Sequence, residues 1–428
     1  MKGNNNMLKK AIYKIKEQLN NKTIILACST GVDSMVLLDL LLKYSQNCNI
    51  IISHINHQKR EQSVVEEEYI KNFCLENGLK CYTKKLPHYE ESNFQEWARE
   101  QRYSFFNEIM KIENADYLIT AHHADDNLET IIMRLLKSSS LKGYAGIEEL
   151  INKDNYYIFR PLLENSKAEI IEYAEKNNIF YYQDDSNYSD DYTRNRIRKY
   201  ITPILLEENP NLYEAISYYN KTILSANELL EKEKLSFIKN HVLVKNNNNE
   251  IIIQFNINEY LELTEYLQVQ ILFRILRKFN LSKTCIDDII KQIKSSKNKI
   301  ISKINLELTM IKEYGYVQFV NFDIQEPTFN LEINEEGIYE LLNGNTLKVK
   351  KNSCHFNTIN GNLWYNIKGL PIIIRTRKNG DKIKTKVGTI SISDYLTNKK
   401  VPTLERRNIL LLCENDMVTA ILGYVIKN

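Results

Sequence analysis

Six residues, Ser29-Thr30-Gly31-Val32-Asp33-Ser34, bring hydroxyls, a glycine and a carboxylate together in one short stretch. Small residues there let backbone N–H groups close on an anion. A helix starting beside them would add the positive end of its dipole. The Ser29 and Ser34 hydroxyls can donate further hydrogen bonds, and Asp33 can hold a Mg2+ that neutralises phosphate charge. No Lys-Ser/Thr pair ends the stretch, so it is not a Walker loop. The plain alternative is a tight strand-to-helix turn in which Ser and Asp serve as helix caps.

A second cluster reads Ala121-His122-His123-Ala124-Asp125-Asp126-Asn127-Leu128-Glu129-Thr130. At i, i+3 spacing a helix presents Asp126 and Glu129 on one face. The helix dipole accounts for aspartates at a helix start but not for two histidines beside them. One of the two histidines is then placed to face a nucleotide, which makes the cluster a candidate site. Adjacent strand residues point to opposite faces, so the two histidines are poorly placed to share a metal. A third cluster holds Arg194, Arg196, Arg198 and Lys199. Arg194 and Arg198 lie at i, i+4 and suit bidentate contact with phosphate; a solvated basic helix end is the alternative.

Elements that could position these clusters are legible around them. Apolar runs at Thr23 to Cys28, Asn49 to Ile55, Lys80 to Leu86 and Tyr117 to Ala121 read as strands. Helical patterns follow each, at Val32 to Tyr44, about Val64 to Glu76, about Phe94 to Glu113 and about Asp125 to Lys137. Four strand-then-helix repeats predict a parallel, Rossmann-like sheet covered on both faces. In such sheets ligands sit at the carboxyl ends of the strands, which puts the first two clusters on one rim. From about Asn211 helical patterns dominate (Leu212 to Asn240, Ile257 to Phe279, Cys285 to Ser295). The tract Lys245 to Glu250 reads as an exposed loop before a strand at Ile251 to Phe255. A weakly patterned stretch, 321–352, reads as a linker or β-rich connection, and short strands from Leu363 onward as a small α/β domain.

Composition bounds the class without deciding it. The chain has 428 residues, 43% hydrophobic and 26% charged, with a formal charge of +3, which suits a soluble protein of two or three domains. The charge is too mild to establish a nucleic-acid partner, so local clusters must carry that case. Arg375, Arg377, Lys378, Lys382, Lys384 and Lys386 face one acid, Asp381, and Lys399, Lys400, Arg406 and Arg407 follow. Such an excess can supply phosphate contacts or simply a solvated surface. Seven scattered cysteines form no Cys-x-x-Cys pair, which argues against a disulfide framework or zinc knuckle. With no signal peptide or spanning segment in the sequence, a reducing cytoplasm is expected.

The first cluster resembles the Ser-Gly-Gly-x-Asp-Ser signature of the PP-loop ATP pyrophosphatases. Thr30 replaces the first glycine, which implies an ordinary φ at that residue or a slightly altered loop. The second cluster is similar to the Ala-His-His-x-Asp-Asp-Gln-x-Glu-Thr motif of the tRNA(Ile)-lysidine synthetases within that class, with Asn127 for the glutamine. Ser53-His54-Ile55-Asn56-His57, Asn93-Phe94-Gln95-Glu96-Trp97-Ala98-Arg99 with Arg102-Tyr103, Arg160-Pro161-Leu162-Leu163, Asp184-Asp185-Ser186-Asn187 and Thr193 to Arg198 follow the same family's order. Arg375-x-Arg-x-x-Gly-Asp381, then Leu396, Lys400, Val401-Pro402 and Arg406, resembles its tRNA-contacting C-terminal domain.

That resemblance implies three parts: an ATP pyrophosphatase domain at 1–210, a mainly helical substrate-recognition domain at 211–325 and a tRNA-binding domain at 353–428. It implies ATP binding by residues 29–34 with Mg2+ on Asp33, and catalysis by His122, Asp126 and Arg194 supported by His123, Asp125, Glu129 and Arg198. It implies tRNA contacts from Arg196, Lys199, Arg375, Arg377, Lys378, Lys382, Lys384, Lys400 and Arg406. The reaction it implies adenylates the wobble cytidine of an isoleucine tRNA with a CAU anticodon, then joins L-lysine. The sequence is compatible with a homodimer and fixes no oligomeric state. A tRNA thiolase, a small-molecule amidating ligase and an ATP- or RNA-binding module without turnover are the alternatives; the first commonly needs paired cysteines, which this chain lacks.

Overall fold

The computed structural model describes residues 8–56, 58, 62–87, 94–183, 193–247, 250–322, 324, 327–358, 361–385 and 388–424. His57, Asn93, the stretch 184–187 and Lys386, all named above, lie outside them. The chain divides into two compact units, Met1–Leu230 and Glu231–Asn428.

The first unit opens with α1 (Lys9–Gln18), then β1 (Thr23–Ala27), α2 (Val32–Tyr44), β2 (Asn49–Asn56), α3 (Gln62–Glu76), β3 (Lys80–Lys85), α4 (Phe94–Ile112), β4 (Tyr117–Ile119) and α5 (Ala124–Lys137). A short α6 (Leu141–Tyr144) leads to the strands β5 (Leu150–Lys153) and β6 (Tyr156–Phe159), then to α7 (Lys167–Lys176). The sheet runs in the order β3-β2-β1-β4-β6-β5, parallel except for the β5–β6 hairpin, which the hydrophobic pattern did not announce. Alternation along the strands splits the core in two. Ile24, Leu26, Ile50 and Ile52 face α1, α2 and α7, while Ile25, Ile51, Leu118 and Ile158 face Phe105, Phe106, Ile109 and Met110 of α4. After β3 the chain returns to the other side of β1, so strand order reverses between β1 and β4. Loops leaving these two strands part there and open the crevice in which α/β sheets bind ligands.

The basic segment forms α8 (Thr193–Arg196) and a single π-helical turn at Ile197–Ile201, anchored by buried Ile197. It is followed by α9 (Thr202–Glu208) and the 30-residue α10 (Leu212–His241).

In the second unit, β7 (Leu243–Asn247) and β8 (Glu250–Asn256) form a hairpin, so most of the tract from Lys245 is strand rather than loop. The helical pattern at 257–279 is not one helix. It breaks into α11 (Ile257–Leu261) and α12 (Glu265–Ile275), because Gln268 turns inward to donate to the Leu263 carbonyl and Tyr260 donates to the Gln268 carbonyl across the break. Next come α13 (Lys283–Lys294) and β9 (Ile300–Lys303), β10 (Thr309–Glu313) and β11 (Tyr316–Val320), which complete a five-stranded sheet with β7 and β8.

The stretch after 321 is β-rich: β12 (Asn330–Ile333), β13 (Gly337–Glu340), β14 (Thr346–Lys350), β15 (Ser353–Thr358) and β16 (Gly361–Asn366). Beyond it lie β17 (Ile372–Thr376), β18 (Lys382–Thr385), β19 (Gly388–Ser391), α14 (Ile392–Asn398), α15 (Thr403–Arg406), β20 (Leu410–Glu414) and β21 (Met417–Ile421). β13 to β16 pack on the sheet β12-β17-β20-β21-β18-β19 through Leu347, Val349, Phe356, Ile374 and Leu412. The second face of that sheet is covered by Ile392 and Leu396 of α14.

Candidate active site

The loop after β1 closes on itself. Ser34 Oγ accepts from the Ser29 N–H (3.2 Å) and donates to the Gly31 carbonyl (2.9 Å), so this buried hydroxyl is spent inside the loop. Thr30 is fully buried with φ +64°. The ordinary φ expected of a β-branched residue is therefore wrong: the loop keeps the backbone a glycine would adopt, and Thr30 bears the strain, on the order of 1–3 kcal/mol. Its Oγ1 donates to the Ser29 carbonyl (2.5 Å) and its own carbonyl accepts from the Tyr182 N–H (3.0 Å). Gly31 has extended backbone and precedes α2, leaving Val32 and Asp33 in the first turn, where N–H groups are unpaired. Beneath the loop, His54 Nδ1 lies 2.9 Å from the Cys28 carbonyl, and burial lowers its pKa.

The loop after β4 meets this one. His123 caps α5 and lies among three carboxylates: Nδ1 is 3.4 Å from Asp125, and Nε2 is 3.5 Å from Asp126 and 3.8 Å from Asp33. Burial opposes its charge, yet Asp125, Asp126 and Asp33 together raise its pKa. His122 behaves oppositely: burial, helped by Arg160 and Arg194, pushes it down to about 4. Its Nδ1 is 2.9 Å from Thr120 Oγ1. Two adjacent histidines are thus pushed in opposite directions, and His123 is the one that touches the carboxylates.

Asp126 and Glu129 do share a face of α5, and α8 and the π-helical turn after it supply their cations. Arg194 Nε is 2.6 Å from Glu129 and its Nη2 2.8 Å from Asp126, while Arg198 Nε is 2.6 Å from the other Glu129 oxygen. Glu129 is fully buried; burial of that carboxylate is tolerable because both oxygens are paired. Asp125 is held at about 2, against burial, by His123, by Tyr213 of α10 (2.5 Å) and by the Lys167 N–H (2.8 Å). Asn127 faces away from the crevice: its Oδ1 accepts from the Ile147 N–H (2.7 Å) and secures the turn at Gly146.

One residue here escaped the sequence reading. Lys167, first in α7, places Nζ 2.7 and 2.8 Å from the Asp33 oxygens. A lysine in the first turn opposes the helix dipole, and that mismatch beside the Ser166 cap was the available signal.

Arg196 and Lys199 turn elsewhere, to Thr193 and over the Tyr200 ring. The remaining basic candidates belong to the second unit. Arg375 is buried and bidentate to Asp381 (2.8 Å twice), and Arg406 reaches the Val401 carbonyl and Tyr314. Lys378, Lys382, Lys384 and Lys400 are exposed, and Arg377 is half-buried.

Comparison with known proteins decides what this crevice belongs to. Residues 4–205 match the PP-loop domain family. Over 415 residues the chain is 31% identical to the tRNA(Ile)-lysidine synthase of Bacillus cereus, spanning 92% of this chain and 87% of the relative. The chain belongs to the tRNA(Ile)-lysidine synthase family. The Geobacillus kaustophilus tRNA(Ile)-lysidine synthase is likewise 31% identical, over 90% of this chain and 86% of its own. Among solved structures, the U34-tRNA thiolase NcsA of Methanococcus maripaludis overlays with a TM-score of 0.44 at 20% identity, covering 50% of this chain and 78% of that one. As a member of the lysidine synthase family the chain is an ATP-dependent, tRNA-modifying ligase; thiolation and small-molecule amidation are less favoured. Among the described residues no helix is long and apolar enough to cross a membrane.

Proposed function

We propose that this enzyme adenylates the wobble cytidine of isoleucine tRNA bearing a CAU anticodon, then joins L-lysine to form lysidine, releasing pyrophosphate and AMP. One observation carries the reading beyond the family name: the loop after β1 and the carboxylates Asp126, half-buried, and Glu129, fully buried, come together around His123 in one crevice. The cytosine C2 oxygen is a poor leaving group. Its attack on the α-phosphate breaks the bond to pyrophosphate and turns it into a good one. The lysine ε-amine then attacks C2, and the C2–O bond breaks with AMP as leaving group.

Each stage has residues to serve it. Backbone N–H groups at Gly31 to Ser34 and the α2 dipole stabilise the departing pyrophosphate. Asp33 already holds a cation, the Lys167 ammonium, so its carboxylate fits Mg2+ entering with ATP; bound there, Mg2+ would neutralise phosphate charge. Asp126 and Glu129 attract the lysine ammonium in exchange for Arg194, which is 40% exposed and free to turn toward phosphate. Asp126 and the His122/His123 pair are the groups at hand to take the amine proton. The domain at 1–210 is the catalytic part; 211–325 and 353–428 select and hold tRNA, with exposed Lys378, Lys382, Lys384 and Lys400 on phosphates.

The test is to supply Mg-ATP, labelled L-lysine and unmodified isoleucine tRNA and follow label into RNA. ATP-dependent incorporation that disappears when the wobble cytidine is changed, and in Asp33→Ala and Asp126→Ala, is expected. Pyrophosphate release with another acceptor and no lysine in RNA would overturn the reading.

A further inference from the structure

The sheet β13 to β16 buries Leu347, Val349, Cys354 and Phe356 against its neighbour. Alternate residues must then face solvent. Register lines up one row of them across the four strands: Ile338, Lys348, His355 and Trp364. Trp364 is 61% exposed and Ile338 70%. The His355 and Trp364 rings stack, with centroids 4.2 Å apart and planes 27° from parallel. β16 is an edge strand. The pair ties β15 to β16, but an indole on the solvent side of an edge strand adds nothing to the core and invites aggregation.

The flanking rows supply Thr346 and Asn357 on one side, and Lys350 and Ser353 on the other. Among these four strands the one acid is Glu340, which ends the Thr346–Asn357 row on the edge strand β13. Flat aromatic faces beside ammonium, hydroxyl and amide groups match a base and its phosphates. A hydrophobic protein surface would ask for a continuous apolar patch, and in this row Lys348 and His355 separate Ile338 from Trp364.

We propose that this face is a stacking platform for unpaired nucleotides of the RNA substrate, a base lying on the Trp364 face that His355 leaves open and phosphates on Lys348 and Lys350. It deepens the tRNA reading and rests on it. The platform is separate from the exposed lysines of β18 and would read single-strandedness, because paired bases hide the faces that aromatic rings need.

Trp97 and Trp364 are the chain's two tryptophans, so Trp97→Phe leaves Trp364 as the sole indole reporter. Full-length protein is titrated with a single-stranded oligouridylate of about ten nucleotides and with a blunt RNA duplex of equal length. Saturable quenching by the oligouridylate, weakened by salt and absent with the duplex, is expected. In otherwise native protein, Trp364→Ala and the pair Lys348→Glu, Lys350→Glu should raise the KM for tRNA about tenfold and leave kcat for lysine incorporation unchanged. No quenching, with KM unchanged in both variants, refutes the platform while active lysine incorporation leaves the proposed reaction standing. Quenching without lysine incorporation supports the platform and sinks the reaction. A changed sedimentation coefficient in Trp364→Ala, with RNA affinity unaltered, would make the face a self-association surface and overturn the proposal.

Discussion

Lys167 Nζ stands 2.7 and 2.8 Å from the two carboxylate oxygens of Asp33, joining the first turn of α7 to the first turn of α2 across the mouth of the crevice. That ammonium is the cation nearest the loop proposed to hold phosphate among the contacts described. On this placement Lys167→Met should slow ATP-dependent pyrophosphate release by about a hundredfold, the scale of a lost electrostatic donor, and raise the KM for ATP. Lys167→Arg should recover part of both. Wild-type pyrophosphate release in Lys167→Met would remove Lys167 from the chemistry.

Glu129 is buried, with Arg194 on Oε2 and Arg198 on Oε1 and, at 3.3 Å, also on Oε2. Arg198→Ala takes the partner from Oε1 and should destabilise the enzyme by roughly 1–3 kcal/mol, less than a fully buried pair because Arg198 is 39% exposed. Glu129→Gln with Arg198→Ala should cost less than the sum of the two single changes. Urea denaturation of the four proteins gives the cycle; strict additivity would mean that the pair is not coupled.

The two histidines set opposite pH slopes. His122, lowered to about 4 by burial, resists a proton that the unfolded chain accepts below its ordinary value. Its contribution is therefore intact above about 6.5 and is lost as pH falls toward 4. His123 is raised, so its contribution is full below about 6.5 and is lost as pH rises through its higher folded value. Side-chain nitrogen NMR should show one imidazole titrating near 4 and the other above its ordinary range. Two coincident titrations near 6.5 would refute the assignment.

Thr30 holds a left-handed backbone at φ +64° with a β-branched side chain. Thr30→Gly should relieve strain of roughly 1–2 kcal/mol, partly offset by the greater unfolded-state entropy of glycine. The net expectation is equal or higher stability with ATP use retained, checked by thermal unfolding and pyrophosphate release. A loss above about 2 kcal/mol would show that the Thr30 packing and its bond to the Ser29 carbonyl outweigh the strain.

Much of the first unit was legible because its signals are local. The helix at Val32–Tyr44 and the strands around β1 to β4 follow from apolar runs and periodicity, and the parallel order follows from their alternation with helices. The β5–β6 hairpin was not legible, since a polar edge such as Leu150 to Lys153 carries a weak pattern. The same holds for the hairpin hidden in the asparagine tract and for the break between α11 and α12, which depends on where one inward glutamine finds its partners.

For the site, the sequence by itself determined the inventory: a turn of hydroxyls, a glycine and a carboxylate before a helix, a helix face carrying Asp126 and Glu129, and an arginine pair at helical spacing. Each follows from neighbours within a few residues, where chain geometry fixes what can share a face. Only the tertiary structure decided the partnerships. Lys167 and Asp33 are 134 residues apart, Arg194 and Glu129 65 apart. Which histidine is pushed up and which down, and which arginine meets which carboxylate, depends on burial and distance, and these exist only once the strand order reverses between β1 and β4 and brings distant loops to one rim.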